Sequence, residues 1–87
     1  MMWYFYILRC IDGSFYSGIT NHLKERLKEH NNGEGAKYTK NRLPVKLIYF
    51  EEYSDKSSAR KREIEVKRWR REKKEALVGG FPRIRSE

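Results

Sequence analysis

At 87 residues the chain holds one domain with a single small core and no room for a second. Its 20 Lys and Arg against 12 Asp and Glu give a formal net charge of +8, a positive field that attracts polyanions, nucleic acid first among them. A lone cysteine, Cys10, excludes an internal disulfide and a thiolate zinc site and points to a reducing, cytoplasmic setting. The apolar opening MMWYFYILRC has no basic region before it, no small-residue cleavage site after it and too few residues to span a bilayer, which argues against a membrane role.

Trp3 to Cys10 are aromatic and β-branched with no helical period and run into Asp12-Gly13, a hairpin signal, so a first strand is expected there. Ser14 to Ile19 continues as a second strand, with Phe15 and Ile19 on one face of the pleat and Tyr16 and Gly18 on the other. The register across the turn decides whether Tyr6 and Tyr16 meet. A two-residue turn sends them to opposite faces, whereas an odd loop that sets Cys10 opposite Ser14 brings both phenols to one face.

Thr20-Asn21 offers capping side chains for a helix in which Leu23 and Leu27 recur at helical spacing, and Asn31-Asn32-Gly33 ends it. On a helical wheel His30 falls beside the leucine stripe and Arg26 at its edge. Gly33 to Pro44, GEGAKYTKNRLP, reads as a long polar loop, a kind of segment that is usually functional or mobile in a small domain. Val45 to Tyr53 forms the third strand, and Lys56 to Arg70 the main helix, with Ser54 or Asp55 as its cap. The apolar stripe of that helix is thin: Ala59 and Val66 share a line, with Trp69 on the flank. Glu63 falls about 40° from this line, whereas Glu65 points away into water. A short helix over Glu72 to Val78 closes the fold with Ala76 and Leu77, and GGFPRIRSE trails as a tail. The expected architecture is α/β (α+β): a three-stranded, mainly antiparallel sheet with its strands in chain order, the first at an edge, flanked by two main helices and a short C-terminal helix, with residues 1–80 as the domain and 81–87 as the tail.

A carboxylate near a core face costs several kcal/mol unless it is paired, hydrogen-bonded or bound to a metal, so Glu63 needs a partner. Arg60, Arg62 and Lys67 lie within a turn and supply the ordinary answer, a helical ion pair. Tyr6, Tyr16, Arg26 and His30 each have an ordinary reading too, as core, cross-strand, solvated or capping residues. Together with Glu63 they make a phenol pair, a guanidinium, an imidazole and a carboxylate that the expected faces bring to one side of the sheet.

This set and its order resemble the GIY-YIG nuclease superfamily. The first motif stands here as Tyr4-Phe5-Tyr6, matching by letter only at its last tyrosine, and the second as Tyr16-Ser17-Gly18, with serine in place of the apolar middle residue. The runs DGSFYSGIT, RLKEHN, GAKYT, LPVKLIYFEEY and REIEVKRW resemble the small stand-alone bacterial branch, similar to the nuclease module of the eukaryotic structure-specific junction endonuclease. The resemblance covers about Trp3 to Val78. It implies a metal-dependent endonuclease that hydrolyses DNA phosphodiesters, on branched or damaged DNA, with a divalent cation, Mg²⁺ or alternatively Mn²⁺. Carried over by position, Glu63 is the metal ligand and Arg26 stabilises charge on the phosphoryl oxygens. One tyrosine, Tyr6 in preference, helps activate water; Tyr16 orients water or phosphate, and His30 assists by hydrogen bonding or proton transfer.

The residue chemistry agrees with that reading. Mg²⁺ keeps most of its waters and often takes one or two carboxylates, so a single Glu63 suffices. A cation and a guanidinium stabilise the negative charge that gathers in a hydrolytic transition state. A phenol with a pKa of about 10 is a poor base at neutral pH, so either its neighbours favour the phenolate or water on the cation shares the task. Lys37, Tyr38, Lys40 and Arg42 interleave charge with an aromatic ring suited to a phosphate backbone and an exposed base. Arg68, Trp69, Arg70 and Arg71 form a second patch, from which Arg70 is the candidate nucleic-acid contact and Trp69 a cover for the core edge. The expected partners are DNA and a protein that supplies targeting, with the chain a monomer or weak dimer. Two other readings compete: a non-catalytic nucleic-acid-binding module, and a basic structural protein of the ribosome or nucleoid, which leaves the Tyr/Arg/Glu order unexplained.

Overall fold

The computed structural model describes residues 1–79; the tail at 81–87 lies outside them. Three strands, β1 (Trp3–Arg9), β2 (Phe15–Thr20) and β3 (Lys46–Tyr53), form one antiparallel sheet in the spatial order β2-β1-β3. The most apolar strand therefore takes the centre rather than an edge. Its unbroken run makes sense there, because both faces of a central strand are covered. Tyr6 and Leu8 point to one face with Cys10 and Val45, against Leu23 and Leu27; Phe5 and Ile7 point to the other with Val66, against Trp69, Leu77 and Val78. Phe5, Ile7, Leu8 and Val66 are fully buried, each contributing about 1.5–3 kcal/mol.

Between β1 and β2, Cys10 and Ser14 extend the pairing, so the turn inside them has three residues, Ile11 to Gly13. Arg9 faces Phe15, the Cys10 amide donates to the Ser14 carbonyl at 2.8 Å, and the Gly13 amide donates back to Cys10 at 2.9 Å. Gly13 supplies the positive φ of 86° that closes this turn. Leu8 then pairs with Tyr16 and Tyr6 with Gly18, so Tyr6 and Tyr16 share a face, the arrangement that the odd-loop register requires. Between β1 and β3 the register shifts at Ile7/Leu8, a bulge that bends β3 across the sheet.

Helix α1 (Leu23–Asn31) covers the Tyr6 face. Its start differs from expectation: His22 is the cap residue and no side chain caps it. Thr20 is still part of β2, and its hydroxyl instead accepts from the His22 amide at 3.1 Å, setting the turn into the helix. The polar segment after α1 is not all loop, since Lys37–Lys40 forms a one-turn helix, α2. A single turn has no hydrophobic period to betray it. It places Thr39 fully inside and leaves Lys37, Tyr38 and Lys40 outside.

Helix α3 (Lys56–Lys67) starts on Asp55, whose carboxylate accepts from the Ser58 amide at 2.7 Å. It stops three residues short of Arg70. The Arg68 and Trp69 amides bond carbonyls three residues back, a tightened final turn after which Trp69 drops onto the Phe5 core and α4 (Arg71–Gly79) begins. Only Ala59 and Val66 of α3 are buried, so apolar area alone holds it weakly. Arg62 makes up the difference with a forked pair onto Glu51 of β3, Nε to Oε1 at 2.9 Å and Nη2 to Oε2 at 3.0 Å. Tyr49 and Tyr53 donate their hydroxyls to the same carboxylate. Burial alone would raise the Glu51 carboxyl, but Arg62 and the two phenols outweigh it and hold it below the usual carboxylate range.

Candidate active site

Tyr6 and His30, both buried, meet across the gap between β1 and α1: the Tyr6 hydroxyl lies 3.0 Å from His30 Nε2. On the other side of the ring, His30 Nδ1 lies 2.9 Å from Thr39 Oγ1, and Thr39 donates its one hydroxyl proton to the Ala36 carbonyl at 3.2 Å. The Thr39 oxygen is therefore left to accept Nδ1–H, and Nε2 is left to accept the Tyr6 proton. Burial pushes His30 down to about 4, with the Arg26 charge adding to the effect and Glu29 opposing it. The imidazole is neutral at pH 7, as this chain of bonds requires.

Two glycines make room for the pair. A Cβ on Gly18 would sit 2.5 Å from the Tyr6 hydroxyl oxygen and 2.7 Å from Cζ, and one on Gly35 would sit 2.8 Å from the Cα of His30. This is the physical demand behind the last letter of Tyr16-Ser17-Gly18. The ring of Tyr16 meets the edge of His30 at 5.2 Å between centroids and stacks on Tyr38 at 6.1 Å and 23°.

Arg26 projects from α1 beside the Tyr6 hydroxyl. Its guanidinium is anchored by Glu29 Oε1 at 2.9 Å and by the Gly35 carbonyl at 3.0 Å. Burial pushes the Tyr6 phenol up to about 12 despite the pull of Arg26; the charges of Tyr16 and Glu63 push the same way as burial. Glu63 thus acts on Tyr6 although it rides on α3, the helix over the other face of the sheet. At the β2 edge Lys67 of α3 lines a groove together with Tyr16.

The Glu63 side chain is only 12 % exposed, yet its partners are the exposed cations Arg60 at 3.6 Å and Lys67 at 3.2 Å. Among the described residues no three His, Cys, Asp or Glu cluster to hold a metal. A protein cage for zinc is thus missing there, whereas Mg²⁺, which keeps its waters and accepts a single carboxylate, suits Glu63. A shielded carboxylate held only by side chains free to swing away fits such an ion.

The remaining residues singled out from the sequence divide. Lys37 and Lys40 project from α2 into solvent. Tyr38 is 39 % exposed, but the Arg42 guanidinium lies over its ring at 4.0 Å, so a stacking base would have to compete with it. Arg42 is a brace, bonded to Asp12 Oδ2 at 3.2 Å and to the Tyr38 carbonyl at 2.7 Å. Arg70 is exposed in the turn between α3 and α4. Sequence reasoning missed the parts played by Thr39, Gly18 and Gly35; the run GAKYT contains two of them, but neither a threonine nor a glycine announces a distant histidine.

The GIY-YIG catalytic domain family matches residues 2–76, over a fold in which Tyr6, Tyr16, Arg26 and His30 meet on one face of the small antiparallel sheet while Glu63 rides on the helix over the other. The chain belongs to the GIY-YIG family. It is 51% identical over 75 residues to a UPF0213 protein of Staphylococcus saprophyticus, covering 86% of this chain and 92% of that one. It is 52% identical over 75 residues to one from Clostridium perfringens, covering 86% and 81%. The solution structure of a UPF0213 protein from Bacillus halodurans superposes with a TM-score of 0.61 at 45% identity, over 94% of this chain and 89% of the other. A protein of E. faecalis superposes at 0.63 with 43% identity, over 93% and 86%. No helix among the described residues is long and apolar enough to cross a membrane.

Proposed function

We propose that this chain is a metal-dependent endonuclease that hydrolyses phosphodiester bonds in DNA. The observation that carries the reading is the neutral His30 bonded to Tyr6 beside the anchored guanidinium of Arg26, to which the reading adds the shielded Glu63, paired only with exposed cations. Glu63 would hold Mg²⁺ or Mn²⁺. The cation, when bound, supplies positive charge that lowers the energy of the developing phosphorane and makes nearby water more acidic.

The chain's own residues do the rest. Arg26 is fixed by Glu29 and the Gly35 carbonyl and presents its charge to a phosphoryl oxygen without reorganising, which is how preorganised donors lower a barrier. Tyr6 accepts the proton of attacking water as its own phenolic proton moves to His30 Nε2. Burial opposes this transfer in the resting site, since the phenol is pushed up to about 12 and the imidazole down to about 4. The transfer is thus disfavoured while the site is at rest, and Arg26, whose charge lowers the Tyr6 phenol, is the residue of this chain that favours it. Tyr16, packed on His30, positions the water or phosphate.

The same resting-state values favour a second reading, a nucleic-acid-binding module without turnover. Cleavage of branched, flapped and single-stranded DNA with Mg²⁺ or Mn²⁺ separates the two. Nicking by the wild type and none by Glu63→Ala, with salt-sensitive binding kept in both, is the expected result. Cutting that survives in Glu63→Ala removes Glu63 from the mechanism, and no cutting by the wild type leaves the binding module.

A further inference from the structure

A groove runs between the hairpin, α2 and the C-terminal helices, lined by Phe15, Tyr16, Ser17, Tyr38, Lys67 and Lys74. Its two lysines come from different helices and converge on the strand that carries Tyr16. α4 is held against that strand by Arg71, which covers the Phe15 ring at 3.8 Å and donates to the Gly13 carbonyl at 2.9 Å. Lys74 has no carboxylate within ion-pair distance among the described residues and is partly sheltered. Lys67 reaches Glu63 at 3.2 Å from one end of the groove. Two cationic side chains from different helices thus line one groove with Phe15, Tyr16 and Tyr38, a surface suited to a polyanionic strand.

We infer that this groove binds the sugar-phosphate backbone of the nucleic-acid strand adjoining the scissile phosphate, with Lys74 and Lys67 as its phosphate contacts. Lys67 has a double part. With the site empty it neutralises Glu63; a cation on Glu63 repels it, and it turns to the phosphate in the groove. Cation and strand then favour each other's binding through one side chain, and the coupling is reciprocal. This inference rests on Glu63 as the metal ligand, and extends that reading to a residue and a groove beyond the reacting centre.

The test uses a fluorescein-labelled 20-nucleotide single strand, bound in EDTA by fluorescence anisotropy across a salt series, and Mn²⁺ titration without DNA followed by electron paramagnetic resonance. Lys74→Met is expected to weaken oligonucleotide binding severalfold and to reduce the slope of log K against log salt by about 0.7. It should leave Mn²⁺ affinity and the thermal midpoint unchanged, and Lys74→Arg should restore binding. Lys67→Met is expected to weaken the oligonucleotide similarly and to bind Mn²⁺ about two- to fivefold more tightly, the worth of the removed ion pair. A purely structural lysine would not shift the two affinities in opposite directions. Oligonucleotide binding unchanged in Lys74→Met overturns the groove while leaving the nuclease reading intact. Mn²⁺ affinity unchanged in Lys67→Met overturns the exchange. Mn²⁺ bound equally by wild type and Glu63→Gln overturns the metal-ligand reading, and the exchange with it.

Discussion

At the scale of single residues, the site is organised by what small side chains leave out and one hydroxyl holds in. Gly18→Ala forces its methyl into the Tyr6 ring and is expected to cost about 1–3 kcal/mol in thermal unfolding, as overpacking does, together with loss of cleavage. Thr39→Val keeps the shape but strips His30 Nδ1 of its acceptor. It is expected to cost about 1–3 kcal/mol and to mix the imidazole tautomers, which nitrogen chemical shifts report. His30 also gives the fold an acid-sensitive window. Its folded pKa of about 4 lies below the ordinary 6.5, so the unfolded chain takes up the proton first. The stability that this site contributes is complete above pH 6.5 and drains away as pH falls towards 4, by up to ~3 kcal/mol. Urea midpoints of wild type and His30→Gln should therefore converge across that interval.

At the scale of elements, the strands and helices were legible wherever apolar periodicity is strong. Phe5 to Leu8 fell in the strand expected of them, Leu23 with Leu27 and Ala59 with Val66 fell on the faces their spacing implied, and the shared face of Tyr6 and Tyr16 followed from one choice of turn length. What stayed hidden depends on contacts between distant segments. The inward Thr39 on a one-turn helix and the Arg62 fork to Glu51 leave no local pattern. That fork matters for aim as well as stability, because Glu63 is the next residue along α3. Glu51→Gln is expected to cost about 1.5–3 kcal/mol, the range of a hydrogen bond to a charged group, read as a lower urea midpoint. Because α3 then loses this anchor, the Mn²⁺ binding proposed for Glu63 should weaken as well.

At the scale of the whole molecule, the +8 charge is divided between two kinds of cation. Arg26, Arg42, Arg62 and Arg71 are engaged as braces on carboxylates, carbonyls and rings, where a planar fork outperforms an ammonium. Lys37, Lys40 and Lys74 have no carboxylate within ion-pair distance among the described residues. Replacing these lysines together should flatten the salt dependence of DNA binding with little change in thermal midpoint, whereas Arg71→Ala should lower the midpoint. The two arginines on the hairpin have a consequence for motion. The tip of a hairpin is ordinarily the first part to fray, but here Arg42 grips Asp12 and Arg71 grips Gly13 from opposite neighbours, while the amides of Cys10, Ile11, Gly13 and Ser14 all donate to protein acceptors. In deuterated buffer these four amides should exchange more slowly than those of Gly35 and Ala36, which have no protein acceptor among the described residues. The quiet end of the molecule is then the turn that holds Tyr16 in place.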